Sequence, residues 1–174
     1  MLGFSKALKF AGLVAVIALA GCETKPPAQA EAPPVAAPSE SNNAVTSNII
    51  PGSAEDLRVN VGDTVHFEYD RYDLRDEDRT VLQRQASWLQ KYPQVRVTIE
   101  GHCDERGTRE YNLALGARRA NAVKEFLVSQ GVSSARVDTI SYGKERPMCT
   151  ESNEGCWAQN RRGVTTITGG AASS

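Results

Sequence analysis

A chain of 174 residues has room for one domain of ordinary size plus tails. With 40% hydrophobic and 24% charged residues it reads as globular, and a formal net charge of −1 gives no electrostatic basis for holding nucleic acid. Two histidines and four cysteines, with neither HExxH nor paired CxxC spacing, leave no metal or cofactor signature, so no cofactor is expected.

Lys6 and Lys9 precede an apolar run, Phe10 to Ala20, that is too short to span a bilayer core of about 30 Å. The run ends in Leu19-Ala20-Gly21-Cys22, which resembles a bacterial lipobox. That resemblance implies a signal peptide over residues 1–21 and a lipidated Cys22 as the first mature residue. Removing residues 1–21 takes away two lysines and leaves 18 basic against 21 acidic residues, a net −3. By resemblance to lipoprotein sorting rules, Glu23 after the cysteine favours the outer membrane, with the rest of the chain in the periplasm. Residues 22–53 then read as a tether. The segment from Glu23 to Asn48 holds five prolines and no aromatic residue, too little apolar area to offset the entropy of ordering it. At about 3.1 Å per residue such a segment reaches on the order of 80 Å when extended.

The folded region is expected over residues 54–170, with 171–174 as a tail. Val65, Phe67 and Tyr69 alternate, predicting a first strand in DTVHFEY. Asp76 to Tyr92 carries Val81, Leu82, Gln85, Ala86, Trp88 and Leu89 on one side and stops before Pro93, a helix. Val95, Val97 and Ile99 alternate in a second strand. Tyr111 to Gln130 is a second helix, ended by Gly131. Strands follow over 137–142 and 163–168. The order β-α-β-α-β, loop, β predicts an α/β (α+β) sandwich with helices packed on a mixed four-stranded sheet.

On a wheel at 100° per residue, the second helix gathers Leu113, Leu115, Ala120, Ala122, Val123, Phe126 and Leu127 into an arc that must face the sheet. Asn112 and Arg119 fall near the middle of that arc, whereas Arg118 falls on the far flank. An inward arginine needs a partner, because a buried unpaired charge costs several kcal/mol. The loop before the helix supplies Asp104, Glu105 and Glu110. Two readings are open. An Arg119–Asp104 salt bridge could pin the loop to the helix. Alternatively, the two charges flank a pocket for a zwitterion, Asp104 taking an ammonium, Arg119 a carboxylate, and Asn112 giving both a donor and an acceptor.

The stretch TIEGHCDERGTREYNLALGARRANAVKEFL, with SYGKERP at 141–147 and NRR at 160–162, resembles the OmpA-like peptidoglycan-binding domain over about residues 60–168. The resemblance implies a ligand, the meso-diaminopimelate residue of the peptidoglycan stem peptide, whose side chain carries an amine and a carboxylate. The family's ligand-binding Asp falls on Asp104, its Arg fifteen residues later on Arg119, its helix-start Asn on Asn112, and a further contact position on Asp70. It also implies TolB and the other components of the Tol–Pal system as partners, and a monomeric domain.

With Cys22 lipidated, three cysteines remain in an oxidising compartment, an odd number. Cys149 and Cys156 bracket CTESNEGC and are the natural disulfide pair. That leaves Cys103 a free thiol behaving as a small buried hydrophobe. A metal set of His102, Cys103, Cys149 and Cys156 lacks tetrahedral ligand spacing. His102 reads as a hydrogen-bonding loop residue. An enzyme using Asp104 and Glu105 as acid and base is disfavoured, because adjacent carboxylates on a turn diverge.

Overall fold

The computed structural model describes residues 49–172. The apolar leader, Cys22 and the segment from Glu23 to Asn48 lie outside the described residues. Among the described residues, four α-helices and four strands follow in order, with one π-helical and one 3-10 turn. A short helix α1 (Ala54–Asp56) runs into a π-helical turn (Leu57–Val61), then β1 (Thr64–His66) and α2 (Asp76–Lys91). After them come β2 (Arg96–His102), α3 (Arg109–Ser129), β3 (Val137–Gly143), α4 (Glu154–Asn160) and β4 (Arg162–Gly169). The strands form a mixed sheet ordered β1-β4-β2-β3, in which β2 runs parallel to β3 and antiparallel to β4.

Alternation along β2 turns Val97 and Ile99 toward α2 and α3, where they pack with Val65, Phe67, Leu82, Ala86, Trp88, Leu89, Val123 and Leu127. The two polar residues of α2 that enter this core are satisfied. Gln85 donates to Gly62 O at 2.7 Å and accepts from Thr165 Oγ1 at 2.7 Å. Asp78 accepts from the His66 N–H and from Arg75 Nε. Thr108 caps α3 by accepting from the Tyr111 N–H. At the other end Gly131 (φ +93°) and Val132 return their N–H groups to Val128 and Leu127, a Schellman stop that needs a left-handed residue.

The contact that positions everything else lies between two glycines. A Cβ on Gly101 would sit 1.9 Å from Gly116 O, so α3 crosses the end of β2 at backbone distance. This brings the first turns of α3 directly beside the loop that leaves β2.

The structure departs from the sequence reading in several places. The first strand ends at His66; Phe67 still bonds to Arg161 O, but Tyr69, assigned to the strand's apolar alternation, is 58% exposed. Asp70 explains the turn, since its φ of 57° bends the chain away. Leu113 is exposed rather than in the arc, because the close approach at Gly116 leaves only a narrow face of α3 against the sheet. His102 ends β2 rather than lying in a loop. The segment between β3 and β4 holds α4, capped by Asn153. Upstream, Ser53 caps α1, and Gly52 N–H donates to Asp56 while Gly52 O accepts from Ala172 N–H.

Candidate functional site

The loop Cys103–Thr108 joins β2 to α3 and is held at several points. Cys103 N–H donates to Gly143 O at 2.8 Å, and Lys144 Nζ donates to Glu105 O at 3.0 Å and Gly107 O at 2.7 Å. Gly107 takes φ +88°. Asn112 spends its amide on the same loop, donating to Arg106 O at 2.7 Å and Thr108 O at 3.0 Å. The loop thereby forms one wall of a pocket of about 260 Å³. Asp104, Arg106 and Cys103 line that wall; Asn112, Leu115 and Arg119 of α3 line the floor; Tyr69, Asp70 and Tyr111 form the rim.

The four residues marked in the sequence, Asp70, Asp104, Asn112 and Arg119, therefore meet in one place. Arg119 is 1% exposed, as its wheel position requires, while Arg118 is at the surface with its guanidinium 5.5 Å from the Tyr72 ring. Their partners differ from both sequence readings, however. Arg119 makes no ion pair with Asp104. It donates from Nε to Arg71 O at 2.8 Å, from Nη1 to His102 O at 2.9 Å and from Nη2 to Glu68 O at 3.0 Å. A guanidinium has five N–H groups, so two are left without a backbone acceptor. Burial pulls its pKa down, against the opposing pull of Cys103 and Asp104.

Asp104 is 4% exposed and pairs instead with Arg106 at 2.6 Å and Arg161 at 3.4 Å. Burial alone would raise its pKa; hydrogen bonds from the Arg106 side chain and backbone outweigh burial and hold it below the ordinary value. Arg161 was not singled out by sequence reasoning as a site residue, although NRR carried part of the family resemblance. Buried, it donates to Phe67 O at 2.9 Å and to Glu154 Oε1 at 2.6 Å. Asn112 supplies only an acceptor to the pocket, since both its amide protons serve the loop. Asp70 accepts a hydrogen bond from the Tyr111 hydroxyl, which raises the Tyr111 pKa.

Behind the pocket, His102 makes no side-chain hydrogen bond. Its Nε2 lies 3.4 Å from Glu100 Oε2 but out of alignment, and burial lowers its pKa to about 4. Cys103 is buried and free, its thiol pushed up to about 11 by burial and bonded to Asn112 O. Cys149 and Cys156 are joined in a disulfide, so neither offers a thiolate to a metal. Glu105 turns away from Asp104, accepting from Trp157 Nε1 at 2.9 Å; the two carboxylates do not converge on a common point.

Comparison with known proteins identifies the family and the fold. The OmpA family model matches residues 66–161. A peptidoglycan-associated lipoprotein from Mesorhizobium japonicum is 52% identical over 157 residues, covering 90% of this chain and 89% of that one. The protein of that name from Pseudomonas aeruginosa is 45% identical over 157 residues, covering 88% and 93%. Among solved structures, the peptidoglycan-associated lipoprotein from Burkholderia pseudomallei superposes with a TM-score of 0.60 at 42% identity, over 61% of this chain and 90% of that one. The C-terminal domain of Helicobacter pylori MotB, at 23% identity and a TM-score of 0.58, shares the fold. The chain belongs to the OmpA family, among the peptidoglycan-associated lipoproteins.

Proposed function

We propose that this chain is an outer-membrane lipoprotein, anchored through Cys22, whose periplasmic domain binds the diaminopimelate side chain of peptidoglycan stem peptides without covalent chemistry. The observation that carries the reading is the convergence of Asp70, Asp104, Asn112 and Arg119 on one small polar pocket. The names of the relatives support a peptidoglycan-binding envelope protein. The guanidinium of Arg119, with two N–H groups not taken by backbone carbonyls, suits a carboxylate, whereas Asp104, Asp70 and the Asn112 carbonyl oxygen suit an ammonium. This is a binding module; its carboxylates are paired with arginines and tyrosine, not set opposite one another across a substrate. The rim adds a second capability. Tyr69 and Tyr111 line the pocket yet stay exposed, and tyrosine is a residue type that anchors protein interfaces. This supports a protein partner, TolB of the Tol–Pal system, competing for a surface that overlaps the wall-binding site. The role is to maintain envelope integrity and draw in the outer membrane at division.

The test is a pull-down of wild type and Asp104→Ala with purified sacculi, with and without TolB. Wild type sediments with the sacculi, and both the substitution and TolB release it. Sedimentation of Asp104→Ala at the wild-type level would refute the site; sedimentation unaffected by TolB would refute the overlap.

A further inference from the structure

The polar groups on Asp104 can be counted to completion. Oδ1 accepts from Arg106 N–H at 3.1 Å and Arg106 Nε at 3.1 Å; Oδ2 accepts from Arg106 Nη2 at 2.6 Å and Arg161 Nη1 at 3.4 Å. A carboxylate offers about four lone-pair sites, so donors of the protein itself fill every one. An incoming ammonium has nothing on Asp104 to bind until a donor leaves.

The two arginines are not equally free to leave. Arg161 is buried and fixed to Phe67 O and Glu154. Arg106 is part-exposed, springs from the loop itself, and contributes three of the four donors. Its guanidinium carbon also lies 4.0 Å from the Tyr69 ring centroid and 4.1 Å from that of Trp157, with Glu154 Oε2 at 3.8 Å from its Nη1. Two aromatic faces and a second carboxylate thus give the side chain a place to remain after it releases Asp104.

We propose that Arg106 is a resident cation that fills the ammonium subsite of the pocket and is exchanged for the ligand's ammonium on binding. This rests on the reading that Asp104 receives that ammonium. The physical need is plain: a carboxylate this buried, left with Arg161 alone, is an under-compensated charge, so the unliganded domain requires a second cation. The cost falls on affinity. Binding trades one ion pair for another and gains only their difference. A ligand without the amine leaves Arg106 in place and gains nothing from Asp104. Trp157 acts as a positioning residue, braced by its bond to Glu105 and by the Cys149–Cys156 disulfide at the start of α4.

Calorimetry on the full mature protein in detergent tests this, using the tripeptide L-Ala-γ-D-Glu-meso-diaminopimelate and its analogue with the side-chain amine acetylated. Arg106→Gln binds the tripeptide on the order of tenfold tighter than wild type and melts at a lower temperature, while the acetylated analogue gains nothing. Arg106→Lys, which keeps the charge, stays near wild type. Trp157→Leu removes part of the place that receives the displaced side chain, so it weakens tripeptide binding by a smaller factor, leaves the acetylated analogue unchanged, and serves if Arg106→Gln does not fold. Unchanged or weaker tripeptide binding by folded Arg106→Gln, or unchanged binding by Trp157→Leu, overturns the exchange while leaving the pocket assignment standing. Absence of tripeptide binding by wild type overturns both.

Discussion

The corner between β1 and α2 and the mouth of the pocket are built from the same chemistry. Asp78 and Asp104 are both buried, and each takes one arginine from its own segment at 2.6 Å and one backbone N–H. Their sequence settings, RDEDR and CDERG, are hard to tell apart. The difference lies in what surrounds them. Asp78 closes a joint, tying α2 to β1, and is not among the residues that line the pocket. Asp104 lines a pocket together with Asp70 and Arg119, and its arginine is held by two aromatic rings. A buried ion pair is therefore structural or functional according to the space it lines, not the residues it contains.

The sharpest way to break this comparison is Arg119→Ala, which belongs to both worlds. It removes the donor to three backbone carbonyls and the pocket's inner cation. A loss of about 3–5 kcal/mol in urea unfolding is expected, together with loss of sacculus binding. Asp78→Ala comes next, at about 2–3 kcal/mol, with sacculus binding by the folded fraction unchanged. Binding lost in proportion beyond unfolding would erase the distinction drawn here. Asp104→Asn inverts the pattern: stability falls by about 1 kcal/mol or less, while tripeptide affinity drops at least tenfold by calorimetry.

Acid separates the regions further. His102 has a folded pKa of about 4 against an ordinary 6.5, so between those values the unfolded chain binds a proton that the folded one refuses. Stability must fall as pH drops from 6.5 to 4, and His102→Gln should flatten that slope in thermal melts. Asp104, depressed, contributes fully above about 3.8, its ordinary value, and loses its contribution as pH falls further. The smallest effect belongs to Arg118→Ala, within about 0.5 kcal/mol, with near-normal sacculus binding. A result equal to Arg119→Ala would undo the assignment of faces on α3.

Periodicity made the main elements and the inward set of Arg119 legible, because apolar spacing reports burial directly. Its partners were not legible. Arg119 answers to carbonyls of Glu68, Arg71 and His102, and a carbonyl has no letter in the sequence. Arg161 reaches Asp104 across 57 positions, a pairing that only the fold creates. The seven residues of α4 escaped for another reason. They form too short an amphipathic window, and what holds them is an Asn153 cap and a disulfide rather than a stripe of apolar side chains. Tyr69 continued an alternation that a single left-handed residue, Asp70, cut off.

The bond between Ala172 and Gly52 acquires a mechanical meaning once the pocket is located. Gly52 sits against Tyr92, just before β2 begins, and the pocket opens where β2 ends. Seven residues of strand, about 20 Å, separate the two points. If, as proposed, the pocket holds the wall and the chain before Gly52 leads to the membrane, a pull between them acts near the two ends of β2. Because β2 is flanked by β4 on one side and β3 on the other, that load shears two ladders at once instead of peeling one open. On the proposed function the domain is a tension link, with the wall held near one end of β2 and the tether joined near the other.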